Sequence, residues 1–275
     1  MTTIHLPTWY YKQYDADFTR DVPAESFGGW DVAELPLALE HTAFVLMHAW
    51  DCGTREAYPG WHRMVEYIPR ADAICRDVLP GLLSAIRSAG MPLYHVVSDV
   101  PSHYHKTLPG YQRLAEMAGP LPSPIPQVAP DEASTELRQF MHDRSCPGDH
   151  NQPDLDRGFA RMSFPQQAVP LASEPIAENG QQLAAVCRQD GINHLIYAGF
   201  AINWCLLLSP GGMAEMSRYG LLCSAIRQAV TAVENRESAR CELHKEEGLW
   251  RTSISFGFVY NLQDIIAALS AIVPA

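Results

Sequence analysis

Gly191-Ile192-Asn193-His194-Leu195-Ile196-Tyr197-Ala198-Gly199-Phe200-Ala201-Ile202-Asn203-Trp204-Cys205 is the stretch whose reading decides the fold. His194 to Ala198 is a short apolar run, long enough for a buried strand and too short for a helix. Gly199 breaks it. The chain then restarts as an apolar helix opening that runs to Leu208, with Asn203 as its cap and Cys205 in the first turn. Unpaired backbone N–H groups and the positive end of the helix dipole favour a thiolate there. The same amides suit the oxyanion of a tetrahedral intermediate. The plainer reading is that Cys205 simply packs, as most free cysteines do.

Outward from this stretch, the pattern is of strands alternating with helices. Thr42 to Met47 is a continuous apolar run fit for a parallel strand covered on both faces, and it ends at His48. Ala71 to Ala89 reads as an amphipathic helix divided at Pro80 and Gly81. Leu93 to Ser98 is the next strand. Ala168 to Ala172 is a weaker one, because Pro170 lies in it. Helices are expected over Glu132–His142, Ala177–Gln189, Gln228–Ser238 and Leu262–Ile272, with a strand over Trp250–Tyr260. This order implies an α/β fold with a doubly wound, mainly parallel sheet. Sites in such sheets lie at the carboxyl ends of strands, where His48 and Cys205 both fall.

The organisation expected is an N-terminal arm (1–38) rich in aromatics, a main domain (39–240) with a proline-rich insertion at about 99–161, and a C-terminal extension (241–275). The insertion carries Pro101, Pro109, Pro120, Pro122, Pro124, Pro126 and Pro130. With 275 residues there is ample chain for a core. A net charge of −11 argues against nucleic acid as a partner. No apolar run approaches the roughly 18 residues of a membrane span. The first residues lack the basic and apolar regions of a signal peptide, so the cytoplasm is the expected location. Seven scattered cysteines without a C-x-x-C pair disfavour a disulfide framework or a zinc site. His62, His103 and His105 read as solvated loop histidines. Neither a metal nor another cofactor is expected.

Gly199-Phe200-Ala201-Ile202-Asn203-Trp204-Cys205 resembles the nucleophile motif of the isochorismatase-like cysteine hydrolases. That motif reads glycine, a hydrophobic residue, alanine, threonine, Asn or Asp, any residue, cysteine. Six of its seven positions fit here, with Ile202 in place of the threonine. Thr42–His48 is similar to the family's first strand, and Leu83–Tyr94 to its following helix and strand. The resemblance implies a three-layer α/β/α fold, Cys205 as nucleophile, a cis peptide between Phe200 and Ala201, and the amides of Ala201 and Cys205 as an oxyanion hole.

The family's chemistry also uses an Asp and a Lys. His48 stands in the aspartate position, Trp50 in that of a customary glutamine, and no lysine lies near Ala172, where Glu174 is the nearest ionisable residue. Two accounts follow. In one, His48 serves as the base, oriented by Glu174 or Asp51, and Cys205 cleaves an amide-type bond of a small molecule. Phe200, Asn203, Trp204 and Trp50 then line the substrate, and a homo-oligomer is expected. In the other, the chain is a catalytically silent binding or assembly protein.

Overall fold

A computed structural model describes residues 2–120 and 126–272; Pro122 and Pro124 of the expected insertion lie outside that range. In chain order the strands are β1 (Thr3–Lys12), β2 (Gly29–Ala38), β3 (Thr42–Met47), β4 (Leu93–Val96), β5 (Ile176–Ala177), β6 (His194–Phe200), β7 (Leu222–Thr231) and β8 (Val259–Tyr260). They form one sheet in the order β2-β1-β8-β7-β6-β3-β4-β5. From β8 to β5 all neighbours are parallel. β1 pairs antiparallel with β2 and, at Trp9–Val259, with β8.

The helices are α1 (Pro59–Met64), α2 (Ile68–Asp77), α3 (Leu79–Ser88), α4 (Pro109–Ala118), α5 (Glu132–Arg144), α6 (Gln152–Arg161), α7 (Gly180–Asp190), α8 (Cys205–Leu208), α9 (Met213–Met216), α10 (Leu243–Ser255) and α11 (Leu262–Ser270). Alternation along β3 sorts them into two layers. Ala43, Val45 and Met47 pack with α7, α9 and α10 through Leu183, Met213 and Leu249. Phe44 and Leu46 pack with α3 and α11 through Leu82, Leu83 and Ile265. Every residue of β3 and β6 is therefore buried. A continuous apolar run is what a doubly covered parallel strand requires.

A third, smaller core covers the carboxyl edge. Trp61 of α1, Leu155 of α6, Ile68, Val100 and Met162 form it, with Trp50, Tyr104 and Phe159 packed against them. Part of the insertion thus folds back as a cap over the end of the sheet where the site lies. Trp61 is 1% exposed, belongs to this core and also walls the small cavity beside His48.

Several local expectations are revised. Within the expected N-terminal arm, β1 and β2 pair over ten residues and extend the sheet. Residues 241–272 contribute α10, β8 and α11 to the same sheet and its helical layer. The chain over Gln228–Thr231 is the end of β7, not a helix, because β7 lies between β6 and β8 in the sheet. Most of Trp250–Tyr260 is helix α10, whose Gly248, Leu249 and Thr252 are buried. The weak strand expected at Ala168–Ala172 lies later, at Ile176–Ala177, where it pairs with His95 and Val96. Among the described residues no helix is long and apolar enough to cross a membrane.

Candidate active site

The parallel order brings four strand ends together: His48 follows β3, Ser98 lies just beyond β4, Glu178 follows β5, and Phe200 to Cys205 continue from β6. Gly199 makes the β6 exit possible. Its φ is +118°, and a Cβ there would stand 1.9 Å from the Met47 carbonyl oxygen of β3. The Phe200–Ala201 peptide is cis, as the resemblance implies.

The loop that follows is held from within. Ile202 N–H donates to the Thr231 carbonyl (2.8 Å), while Trp204 and Leu206 N–H both donate to the Ala201 carbonyl (3.1 Å each). Ile202, in the threonine position of the motif, is fully buried and packs on Gly248 of α10. Asn203 does not cap the helix, and its side chain is not free for a substrate. Its amide N–H donates to the Val233 carbonyl and its carbonyl accepts from Val233 N–H, both at 2.9 Å. The N-cap is Trp204, a residue that is 55% exposed. Helix α8 is a single turn, so its dipole contributes less than a long apolar helix would. Among the described residues, no backbone or side-chain oxygen accepts from the Ala201 or Cys205 N–H. Cys205 itself is half-buried.

His48 has a φ of +53°, in the left-handed region that costs a non-glycine residue about 1 kcal/mol or more. Its ring is buried, stacks on Trp50 at 4.8 Å, and places Nε2 3.0 Å from Ser98 Oγ. Nδ1 is buried without a partner. Burial lowers its pKa to about 4, so the imidazole is neutral near pH 7.

Neither expected carboxylate orients it. Asp51 accepts from Arg161 (2.6 Å) and from Gly53 N–H (2.8 Å), closing the loop after β3 against the cap. Glu174 lies before β5, at the amino end of the strand, and its oxygens accept from Arg87 (2.7 and 3.0 Å), His95 (2.9 Å) and Leu171 N–H (2.8 Å). Burial works to raise the Glu174 carboxyl, but the bonds from His95, Arg87 and Leu171 outweigh it and hold the pKa at about 2.

The carboxylate at the carboxyl end of β5 is Glu178, which the sequence reading missed. It accepts from His105 Nε2 and from the Tyr111 hydroxyl (2.8 Å), and Lys106 Nζ lies 3.5 Å away, bridging to Asp99 at 2.9 Å. His105 is fully buried, unlike the solvated loop histidine expected; His103 is exposed and pairs with Asp99. Asn179 caps α7 by accepting from Gln182 N–H, and Gln182 accepts from Glu178 N–H, which fixes Glu178 at the strand end. The signal for it was that Asn179-x-x-Gln182 cap, one residue downstream.

Space beside His48 is small. A cavity of about 20 Å³, roughly one water's room, is bounded by His48, Trp50, Cys52, Tyr67 and Phe200. The Tyr67 phenol, raised by burial, faces the negative fields that Cys205 and Cys52 would carry as thiolates. A groove of about 610 Å³ lies at the opposite edge, beside Leu39, Met91 and Ile192, and neither cysteine nor histidine lines it. Among the described residues no three His, Cys, Asp or Glu side chains gather as a metal-ligand set.

No protein-family model matches the chain, and no curated protein matches it in sequence. Solved structures do match. A cysteine hydrolase from Pseudomonas syringae pv. phaseolicola 1448A is 13% identical with a TM-score of 0.51, over 87% of this chain and 97% of that one. An isochorismatase-like hydrolase from Alkaliphilus metalliredigens is 14% identical (TM-score 0.46, 84% and 99% covered). N-carbamoylsarcosine amidase from Thermoplasma acidophilum is 12% identical (TM-score 0.42, 80% and 96% covered). With the α/β/α layering and strand order already established, the chain has the isochorismatase-like fold.

Proposed function

We infer that the chain is a cysteine hydrolase acting on an amide-type C–N bond of a small molecule. The observation that carries this reading is the β6 exit: a half-buried thiol with two free backbone N–H groups, at Ala201 and Cys205, in the same loop. In the proposed reaction Cys205 Sγ attacks the carbonyl carbon as its proton passes to His48. The two amides hold the oxyanion. His48 returns the proton to the leaving nitrogen, an amine departs, and a thioester remains. Water then adds to the thioester carbon, its hydroxyl completes the acid, and its other proton restores the thiol.

Because His48 is neutral and lacks a carboxylate partner, it acts as a transient base and not as half of a resting ion pair. That feature also supports the second reading, a silent binding or assembly protein.

Ammonia release from a panel of small primary amides, with Cys205→Ser and His48→Ala beside the parent, separates the two. The hydrolase reading expects turnover that Cys205→Ser lowers by about a thousandfold or more, and a hydroxylamine-trappable thioester. It also expects iodoacetamide to alkylate Cys205 at least about tenfold more slowly in His48→Ala. Absence of turnover, with alkylation equal in parent and His48→Ala, moves the assignment to the binding role.

A further inference from the structure

Helix α5, 13 residues from Glu132 to Arg144, has no buried residue. Leu137, Phe140 and Met141 are 70%, 66% and 58% exposed, and with Ala133 before them they recur at the three- and four-residue spacing of a single helical face. The helix is tied to the body from its other side. His142, across the helix from that face, meets Gln152 of α6 through Nε2 (3.0 Å) and Asp143 through Nδ1 (2.9 Å), and its carbonyl accepts from Gly148 N–H (2.9 Å). An amphipathic surface helix ordinarily turns its apolar stripe to its own core; this one turns it to solvent. A helix of this length is marginal in water without a packed face.

The chemistry of the face selects its occupant. Helices that lie on membranes carry lysine and arginine along the polar face. Here there is no lysine, and Glu132, Glu136 and Asp143 outnumber Arg138 and Arg144, on a chain of net charge −11. An anionic bilayer is a poor match. A second copy of the same helix matches well if it runs antiparallel. Along the stripe, small Ala133 lies at one end and long Arg144 at the other, with Leu137 and Phe140 between them. Reversing a second helix on the first sets Ala133 against Arg144 and Leu137 against Phe140, each pairing made twice by symmetry. Each Arg144 then lies beside Glu132 and Glu136 of the other copy. Among the described residues none of these three charges is in an ion pair within its own chain. Parallel pairing would set Arg144 on Arg144 and the acids on one another.

We propose that the outward face of α5 is an isologous interface at which two copies of this chain pair through antiparallel α5 helices. Burial of Leu137, Phe140 and Met141 supplies the driving force. The contacts of Arg144 with the two glutamates, together with the opposed helix dipoles, set the direction and register. One helix pair covers less than the roughly 1,200–2,000 Å² of a stable interface, so the dimer dissociates on dilution. The pairing does not rest on the hydrolase reading: Cys205→Ser should dimerise as the parent does.

The test is sedimentation velocity of the full chain from about 1 to about 200 μM, over which the mean mass should rise from one chain towards two. Phe140→Glu changes an exposed side chain, so the protein should keep the parent's circular dichroism while its dimer dissociation constant rises at least about tenfold. Arg144→Glu should weaken the dimer by about fivefold, and adding Glu136→Arg to the same chain should recover most of that loss. Only antiparallel pairing brings positions 136 and 144 together, so the recovery reads the arrangement and not merely the stickiness of the face. A dimer unchanged by Phe140→Glu, or a loss in Arg144→Glu that Glu136→Arg does not recover, overturns the proposal. A parent that stays monomeric throughout also overturns it and leaves the face to a partner of another kind.

Discussion

Glu174 and Glu178 flank the two-residue strand β5, and each holds a buried histidine. At the amino end every valence of the carboxylate is used: Arg87 takes it in a fork, His95 and the Leu171 N–H complete it. At the carboxyl end the pair is left open. His105 uses one nitrogen on Glu178 and keeps the other buried without a partner. The same two residue types, at opposite ends of one short strand, form a fully bonded clamp on one side and a pair with a spare bonding position on the other. What separates them is the bonding capacity left over, and that is a property of the packing around each.

The largest expected effect is at the clamp. Glu174→Ala leaves Arg87 without its counter-charge and His95 without its hydrogen-bond acceptor, which costs about 3–5 kcal/mol for a buried pair. A fall in melting temperature of roughly 10 °C in calorimetry is the expected result for a chain of this size. A loss no greater than that of an exposed ion pair would erase the contrast between the two ends.

Acid should act next, and in two windows. Burial lowers the folded pKa values of His48 and His194 to about 4, and that of His95 is lowered too. The unfolded chain therefore binds protons first. Stability falls as pH drops from about 6.5 towards 4, by on the order of 3 kcal/mol per fully shifted histidine. Glu174 contributes stability that is present above the ordinary glutamate pKa and is lost as pH falls from about 4.5 towards 2. Urea midpoints between pH 7.5 and 3 should show His194→Gln flattening only the upper window and Glu174→Gln only the lower.

Glu178→Gln should cost less, about 1–2 kcal/mol, because the amide oxygen still accepts from Tyr111 or His105. Its melting point set against that of Glu174→Gln sharpens the comparison directly. Smallest of all is Tyr104→Phe. The hydroxyl accepts at most a weak bond from the Trp50 indole, so the change in stability should lie within about 1 kcal/mol.

The strand ends were legible unevenly. Thr42–Met47 and the segment from His194 were readable because a doubly covered parallel strand must be apolar throughout. The division at Pro80 matches the boundary between α2 and α3, because proline suits a first helical turn and not an interior. β5 was misplaced because two residues paired to a single neighbour leave almost no pattern. That displacement put Glu174 at the wrong end of the sheet and hid Glu178. The β7 residues Gln228 to Thr231 read as helix since glutamine and alanine favour one, and the pairing of Val230 and Thr231 with β6 overrode the preference.

By itself the sequence determined an α/β chain with its cysteine at the exit of a central strand, since burial on two faces, glycine at a close backbone approach and a following apolar turn are all local demands. Only the tertiary structure decided which polar groups meet. Asn203 was drawn to Val233, Asp51 to Arg161, and His105 to Glu178 from another strand end. Hydrogen bonds of this kind are short and directional. Their partners come from segments up to 110 residues apart, and no local pattern records which donor will find which acceptor.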